Sequence, residues 1–195
     1  MSHYQAAPAP TAPPGAGAPP TRRAAKRPGT LTALFWTALA SAATAAVGAV
    51  LVFAGGEDLA EENINDVIAD HPDVVGLPSG TTPADIKALS GPIWDELVSD
   101  RAGTLTARAG FALFTAVCLL VLGLVARRGA ATWSRVLLTV AGVVALFPHI
   151  LILGDYEPDS VTMLSLAALL TAVVAVVLCW LPPVNRYAKQ RKSGV

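Results

Sequence analysis

The chain has 195 residues, of which 53% are apolar and 14% charged, and its formal net charge is zero. The apolar residues gather into four blocks that each meet or nearly meet the roughly 20 helical residues needed to cross about 30 Å of hydrocarbon. One soluble domain of this length cannot wrap four such helices, so a soluble globular fold is excluded. Two cysteines, Cys118 and Cys179, lie inside apolar blocks and none lies between them, which excludes a disulfide framework.

Residues 1–29 are a Pro/Ala-rich tail with almost no large apolar side chains, predicted to be disordered because it cannot offset its ordering entropy. The tail ends in Arg22, Arg23, Lys26 and Arg27, a basic cluster suited to anionic headgroups. The first span follows at 30–54. Its apolar run is too long for the 7–15-residue core of a signal peptide, so an uncleaved helix is expected. Nine of the 24 residues from 31 to 54 are alanine. Ala40, Thr44 and Gly48 recur every four residues, as do Thr37, Ser41 and Ala45. Small residues at that spacing admit a neighbouring helix closely, which predicts that this helix is the packed centre of a bundle through Ala40, Thr44 and Gly48.

Residues 55–104 form an acidic loop. Ala60, Ile64, Val67 and Ile68 place one apolar stripe on a helix after Gly55-Gly56 that stops at His71-Pro72. Thr82-Pro83-Ala84-Asp85 reads as an N-cap, a first-turn proline and an acid at the third position. Gly91-Pro92 breaks that helix, and Ile93 to Leu97 adds a further turn or two. Ile64, Val67, Ile86, Leu89, Ile93, Trp94 and Leu97 are expected to pack as a small cap over the bundle mouth. The second span is read at 105–126, a basic loop at 127–135, the third span at 136–153, a short acidic loop at 154–160, the fourth span at 161–181 and a basic tail at 182–195.

All fourteen acidic residues lie in 57–100 and 155–159, accompanied there and at the head of span two only by Lys87, Arg101 and Arg108. The other eleven basic residues lie in the three remaining polar segments, which contain no acid. Lysine and arginine on alternate sides of successive spans predict cytoplasmic termini in the cell membrane, with 55–104 and 154–160 outside. Trp36, Trp133 and Trp180 fall near the cytoplasmic ends of their spans. Trp133, Arg135 and Trp180 are read as interface anchors, with Arg135 and Arg108 snorkelling to the headgroups.

Chemistry has few places to reside. His149 follows Pro148 near the outer end of span three, where it can meet Asp155 or Glu157 and change charge near neutrality. It is the one functional candidate among the span residues. The Asp70-His71-Pro72-Asp73 cluster falls short of the three or four convergent ligands a zinc ion needs. The chain has no C-x-x-C, G-x-S-x-G, H-E-x-x-H or Walker loop. Arg27–Ala33 and Arg101–Ala107 share a seven-residue echo, each just before a span, which opposite membrane sides would make an inverted repeat. No catalytic residue, cofactor or metal site is assigned.

The stretch Arg127-Arg128-Gly129-Ala130-Ala131-Thr132-Trp133-Ser134-Arg135-Val136-Leu137-Leu138 resembles the inner-loop pattern R-x-G-x-x-x-W-[AS]-R-x-x-L. That pattern is associated with small four-helix integral membrane proteins of high-GC Gram-positive bacteria, the actinobacteria. The resemblance implies four transmembrane helices and no particular activity. The sequence therefore predicts an all-α polytopic membrane protein with four spans and a short helical outer cap. Its expected role is a non-enzymatic interaction or envelope component, with a small transporter or channel subunit as the alternative. Expected partners are the lipid bilayer and other membrane proteins or a second copy. No nucleic acid is expected, and no small-molecule ligand is identifiable from the sequence.

Overall fold

The computed structural model describes residues 27–129 and 131–193, and among them helix is the only regular secondary structure. The expectation of a disordered tail falls on residues 1–26, outside the described part. Six helices follow in order: α1 Gly29–Asp70, α2 Pro83–Ser90, α3 Ile93–Gly129, α4 Thr132–Leu153, α5 Asp159–Cys179 and α6 Pro182–Lys192. Four of them, α1, α3, α4 and α5, are long and apolar enough to cross a membrane.

Gly56 divides α1 into a span and a cap segment. Its φ of 52° and ψ of −130° lie where a β-carbon is rarely tolerated, so the chain turns here and resumes helix. A single 3-10 turn, Pro72–Val75, then reverses the chain and ends on left-handed Gly76. Helix α2 begins with the capping box that its sequence announces: the Thr82 hydroxyl accepts from the Asp85 amide, and the Asp85 carboxylate accepts from the Thr82 amide. Gly91, with φ 53°, separates α2 from α3.

Ile93 to Leu97 is not a separate turn of helix, as the sequence reading has it; it opens α3, which runs 37 residues without a break. No proline follows Pro92 until Pro148, and the isolated glycines Gly103, Gly110 and Gly123 each cost only about 1 kcal/mol of helix propensity. At 1.5 Å per residue α3 is about 55 Å long, so it extends about 25 Å beyond the hydrocarbon layer and forms part of the cap. The echo of Arg27–Ala33 at Arg101–Ala107 therefore lies within a helix, whereas its first copy begins one. Residues 182–192 also depart from expectation. They form α6, because prolines at the first helical turn start a helix as readily as they end one. Val184 and Tyr187 of α6 bury against Leu31 at the base of α1.

The four long helices form a ring in which α1 packs between α3 and α5, and α4 closes the opposite corner. Alanine dominates the interior: Ala42 and Ala45 of α1, Ala116 of α3 and Ala168 of α5 meet at mid-bundle. Toward the cap a second cluster joins Ala49 and Val52 to Ala60, Ile68, Trp94 and Val98, so bundle and cap share one continuous core. Of the apolar residues expected in the cap, Trp94 is buried and Ile64 and Ile86 pack against this core, but Leu89, Ile93 and Leu97 are exposed.

The packing face of α1 also differs from expectation. Ala40 is exposed and Thr44 is half-buried; only Gly48 of that trio is buried. The buried stripe is Ala38, Ser41, Ala42, Ala45, Gly48, Ala49 and Val52. Ala40 lies instead on the outward stripe with Trp36, Ala43, Val47 and Val50. In a helix this rich in alanine, four-residue spacings of small side chains occur on several faces at once. The large residues on the outward stripe were the better guide. Nor is α1 the centre of the bundle; it is one of four staves, with an outward face of its own.

The tightest approaches occur elsewhere. A β-carbon on Gly123 of α3 would lie 3.2 Å from the Ala38 β-carbon, and one on Gly142 of α4 would collide with the Val176 side chain of α5. At Gly48 the nearest atom, the Leu164 β-carbon, would be an ordinary 3.8 Å away. Gly142→Ala is therefore expected to destabilise the bundle by about 1–3 kcal/mol, while Gly48→Ala is tolerated. Thermal unfolding in one detergent reads the contrast, and equal melting temperatures for the two variants would contradict it.

Candidate functional site

Polar side chains meet at the cap end of the bundle, where α3 passes the α4–α5 connection. Arg101 and Arg108 stand seven residues apart on α3, two turns along one face. Arg101 donates through Nη1 to Asp155 Oδ2 at 2.6 Å, through Nη2 to the Asp155 carbonyl at 2.9 Å and through Nε to Asn63 Oδ1 at 2.9 Å. Asn63, on the cap segment of α1, donates in turn to the Tyr156 carbonyl at 2.7 Å. Arg108 donates to the same Asp155 oxygen and, at 2.9 Å, to Glu157 Oε1. One carboxylate thus holds two arginines, and α1, α3 and the α4–α5 connection are tied together. Tyr156 sits at the middle of the tie with φ 49°, a left-handed conformation unusual for a side chain of its size. Its ring packs on His71 with centroids 4.7 Å apart.

The two acids of this cluster differ in character. Burial pushes the Asp155 carboxyl upward, but the hydrogen bonds and charges of Arg101 and Arg108 outweigh it and hold the group below the usual aspartate range. Glu157 has a side chain only 1% exposed, and burial carries its carboxyl above the usual glutamate range despite Arg108. At the periphery, Glu61 lies below its ordinary value through hydrogen bonds from Lys87 and Trp94.

Of the cavities that flank this tie, which include one of about 420 Å³ beside Gly154 and Thr162, two adjoin each other. An acidic cleft of about 340 Å³ is lined by Glu62, Asp66, Asp70, His71, Glu157 and Asp159. A pocket of about 300 Å³ is walled by apolar side chains, among them Ile64, Val75, Leu77, Ile86 and Leu97. Asn63, Val67 and Tyr156 line both, so the two adjoin. Beneath them, inside the bundle, a void of about 20 Å³ lies between His149, Glu157, Ser165 and Gly48. That is room for about one water molecule.

The residues singled out from sequence are dispersed. His149 is buried at the cap end of α4, yet its hydrogen-bond partner is Ser165 Oγ of α5 at 2.6 Å, not Asp155 or Glu157. Those two acids are held by the arginines. Arg108 is not a snorkelling anchor, since it is bound within the cap tie.

Arg135 is not an interface anchor either. It is 4% exposed, donates through Nε to the Cys179 carbonyl at the end of α5 at 3.0 Å, and also bonds Asn185 Oδ1 of α6. Its guanidinium lies 4.4 Å from the centre of the Trp180 ring. A cation at the negative end of α5 is favourably placed, and there it fastens α4, α5 and α6 together. Trp133 is exposed at the start of α4, and Trp180, partly exposed, donates to Thr139 Oγ1 at 2.8 Å.

Among the described residues no three His, Cys, Asp or Glu side chains converge as metal ligands. Arg101, Asn63 and Ser165 are not singled out as site residues by the sequence, and Tyr156 reads there only as an interface aromatic. Arg101 carried a signal, as one of few cations beside an acidic stretch and seven residues from Arg108. Comparison with family models, curated proteins and solved structures finds no match to this chain.

Asp155 serves two arginines in its charged form, whereas burial works against the charge on Glu157, which meets Arg108 alone. Asp155→Asn is therefore expected to lower thermal stability at neutral pH by clearly more than Glu157→Gln does. The pH dependence has opposite signs. The Asp155 contribution is complete above the ordinary aspartate range and lost as pH falls through its depressed value. The Glu157 contribution is complete below the ordinary glutamate range and lost as pH rises through its elevated value. Melting curves of both variants from pH 4 to pH 8 measure the difference, and a larger loss from Glu157→Gln would contradict it.

Proposed function

We propose that this chain is a multi-pass protein of the cell membrane with cytoplasmic termini, acting as a non-enzymatic interaction component through its extracytoplasmic cap. The observation that carries the reading is the distribution of open space. The void described within the bundle measures about 20 Å³, while the cap holds two adjoining cavities of about 300 and 340 Å³. The hydroxyls that would line an assembled pore are engaged within the subunit: Ser41 donates to the Ala168 carbonyl at 2.9 Å, and Thr37 and Thr44 return to carbonyls of their own helix. That disfavours the transporter or channel alternative.

Orientation rests on charge. Arg127, Arg128, Arg186, Lys189, Arg191 and Lys192 collect at one end of the bundle, and the acidic residues at the other. Cysteines introduced at Asp66 or Asp95 are expected to react with an impermeant maleimide on intact, wall-stripped cells, and one at Lys189 only after the membrane is opened. The reverse labelling would refute the orientation. Proteoliposomes carrying the purified protein are expected to pass monovalent ions no faster than empty vesicles. Protein-dependent flux would overturn the reading as an interaction component.

A further inference from the structure

The cap presents three features that belong together. First, its apolar pocket opens at the surface of the cap among side chains that globular surfaces seldom expose together: Val74, Val75 and Leu97 at its edge, with Leu89 and Ile93, 84% and 66% exposed, on the neighbouring helices α2 and α3. Second, the acidic cleft adjoins that pocket across Tyr156 and Asn63. Third, the cleft lacks counter-charge. The three basic residues of the cap region, Lys87, Arg101 and Arg108, are engaged with Glu61, Asp155 and Glu157. Among the described residues no salt bridge reaches Glu62, Asp66, Asp70 or Asp159.

Resting on the interaction role proposed above, we infer that the cap docks a basic amphipathic segment of another protein. The segment lays apolar side chains into the Val75–Ile86–Leu97 pocket and lysine or arginine side chains into the Glu62–Asp66–Asp70 cleft, across Tyr156. Charge and shape select this occupant. An anionic bilayer surface is repelled by the cleft. A divalent cation lacks three convergent ligands. A second copy in the same membrane presents its basic clusters at the opposite end of its bundle, out of reach. A segment with both faces satisfies both cavities, burying apolar surface at the pocket and placing its cations where four carboxylates raise their local concentration. Tyr156, whose carbonyl accepts from Asn63 and whose ring packs on His71, lines both halves of the site.

The test uses the full-length protein in phosphatidylcholine nanodiscs, with empty discs as the reference. The probes are three synthetic peptides of about four helical turns: an amphipathic Leu/Lys helix, an amphipathic Leu/Glu helix and a Ser/Lys peptide without apolar residues. The Leu/Lys peptide is expected to bind the loaded discs at least about tenfold more tightly than it binds empty discs or than either control binds loaded discs, and to weaken as salt rises. Asp66→Lys with Asp70→Lys, and separately Val75→Lys, are each expected to weaken it about tenfold. All three positions are exposed or border solvent, so the fold tolerates them. Asp100→Lys, exposed on α3 and lining neither cavity, leaves binding unchanged.

Several outcomes would overturn the inference: no preference over empty discs, equal binding of the Leu/Glu or Ser/Lys peptide, equal loss on Asp100→Lys, or binding only of a small lipophilic cation such as tetraphenylphosphonium. Ion flux in proteoliposomes bears on the broader role alone, so the two failures are distinguishable.

Discussion

Helices in hydrocarbon gain little by hiding apolar side chains from lipid tails that are equally apolar, and this constraint governs the structure. Cohesion has to come from close packing and from polar contacts the lipid cannot supply. The chain answers with an alanine-lined interior, with glycines at the tightest crossings of α1 with α3 and α4 with α5, and with arginines fastened near both ends. The Ser41–Ala168 hydrogen bond at mid-bundle is of a kind that averages about 0.6 kcal/mol in a membrane. The arginine ties are charge-assisted hydrogen bonds, a kind about twice as strong as neutral ones, and each joins elements distant in sequence.

The two ends use arginine differently. At the basic end, Arg135 has no acid partner among its hydrogen bonds; it completes the carbonyl end of α5, bonds α6 and stacks on Trp180. At the cap end, Arg101 and Arg108 converge on Asp155 from one face of α3, so the helix that crosses the membrane is also the post on which the cap is built. Asn63 extends the tie to α1 beyond the Gly56 kink. The cap and the bundle thus share a polar tie and one apolar core, and the open cavities lie beside that tie.

That continuity separates the internal charges from the surface ones. The arginines of the cap are consumed by the α4–α5 connection, and the acids of the α1 cap segment are left facing a cleft. A role for the surface follows from what the fold leaves unmatched there.

Much of the architecture was determined by the sequence itself. Four apolar blocks set four helices, Thr82-Pro83-Ala84-Asp85 set a capped helix, and Gly91-Pro92 set a break. These are local properties, governed by hydropathy, capping and backbone freedom within a few residues. Tertiary structure decided the rest. Which face of α1 packs was ambiguous because Ala40, Thr44 and Gly48 are only one of several small-residue stripes. Whether Arg108 and Arg135 snorkel or bind depended on partners 44 to 50 residues away, Glu157 in one case and Cys179 and Asn185 in the other. His149 found Ser165 on the next helix because α4 and α5 pack side by side, a contact set by the rotation of each helix about its axis. Hydropathy shows that a helix forms and crosses; only its neighbours fix the direction in which each polar side chain points.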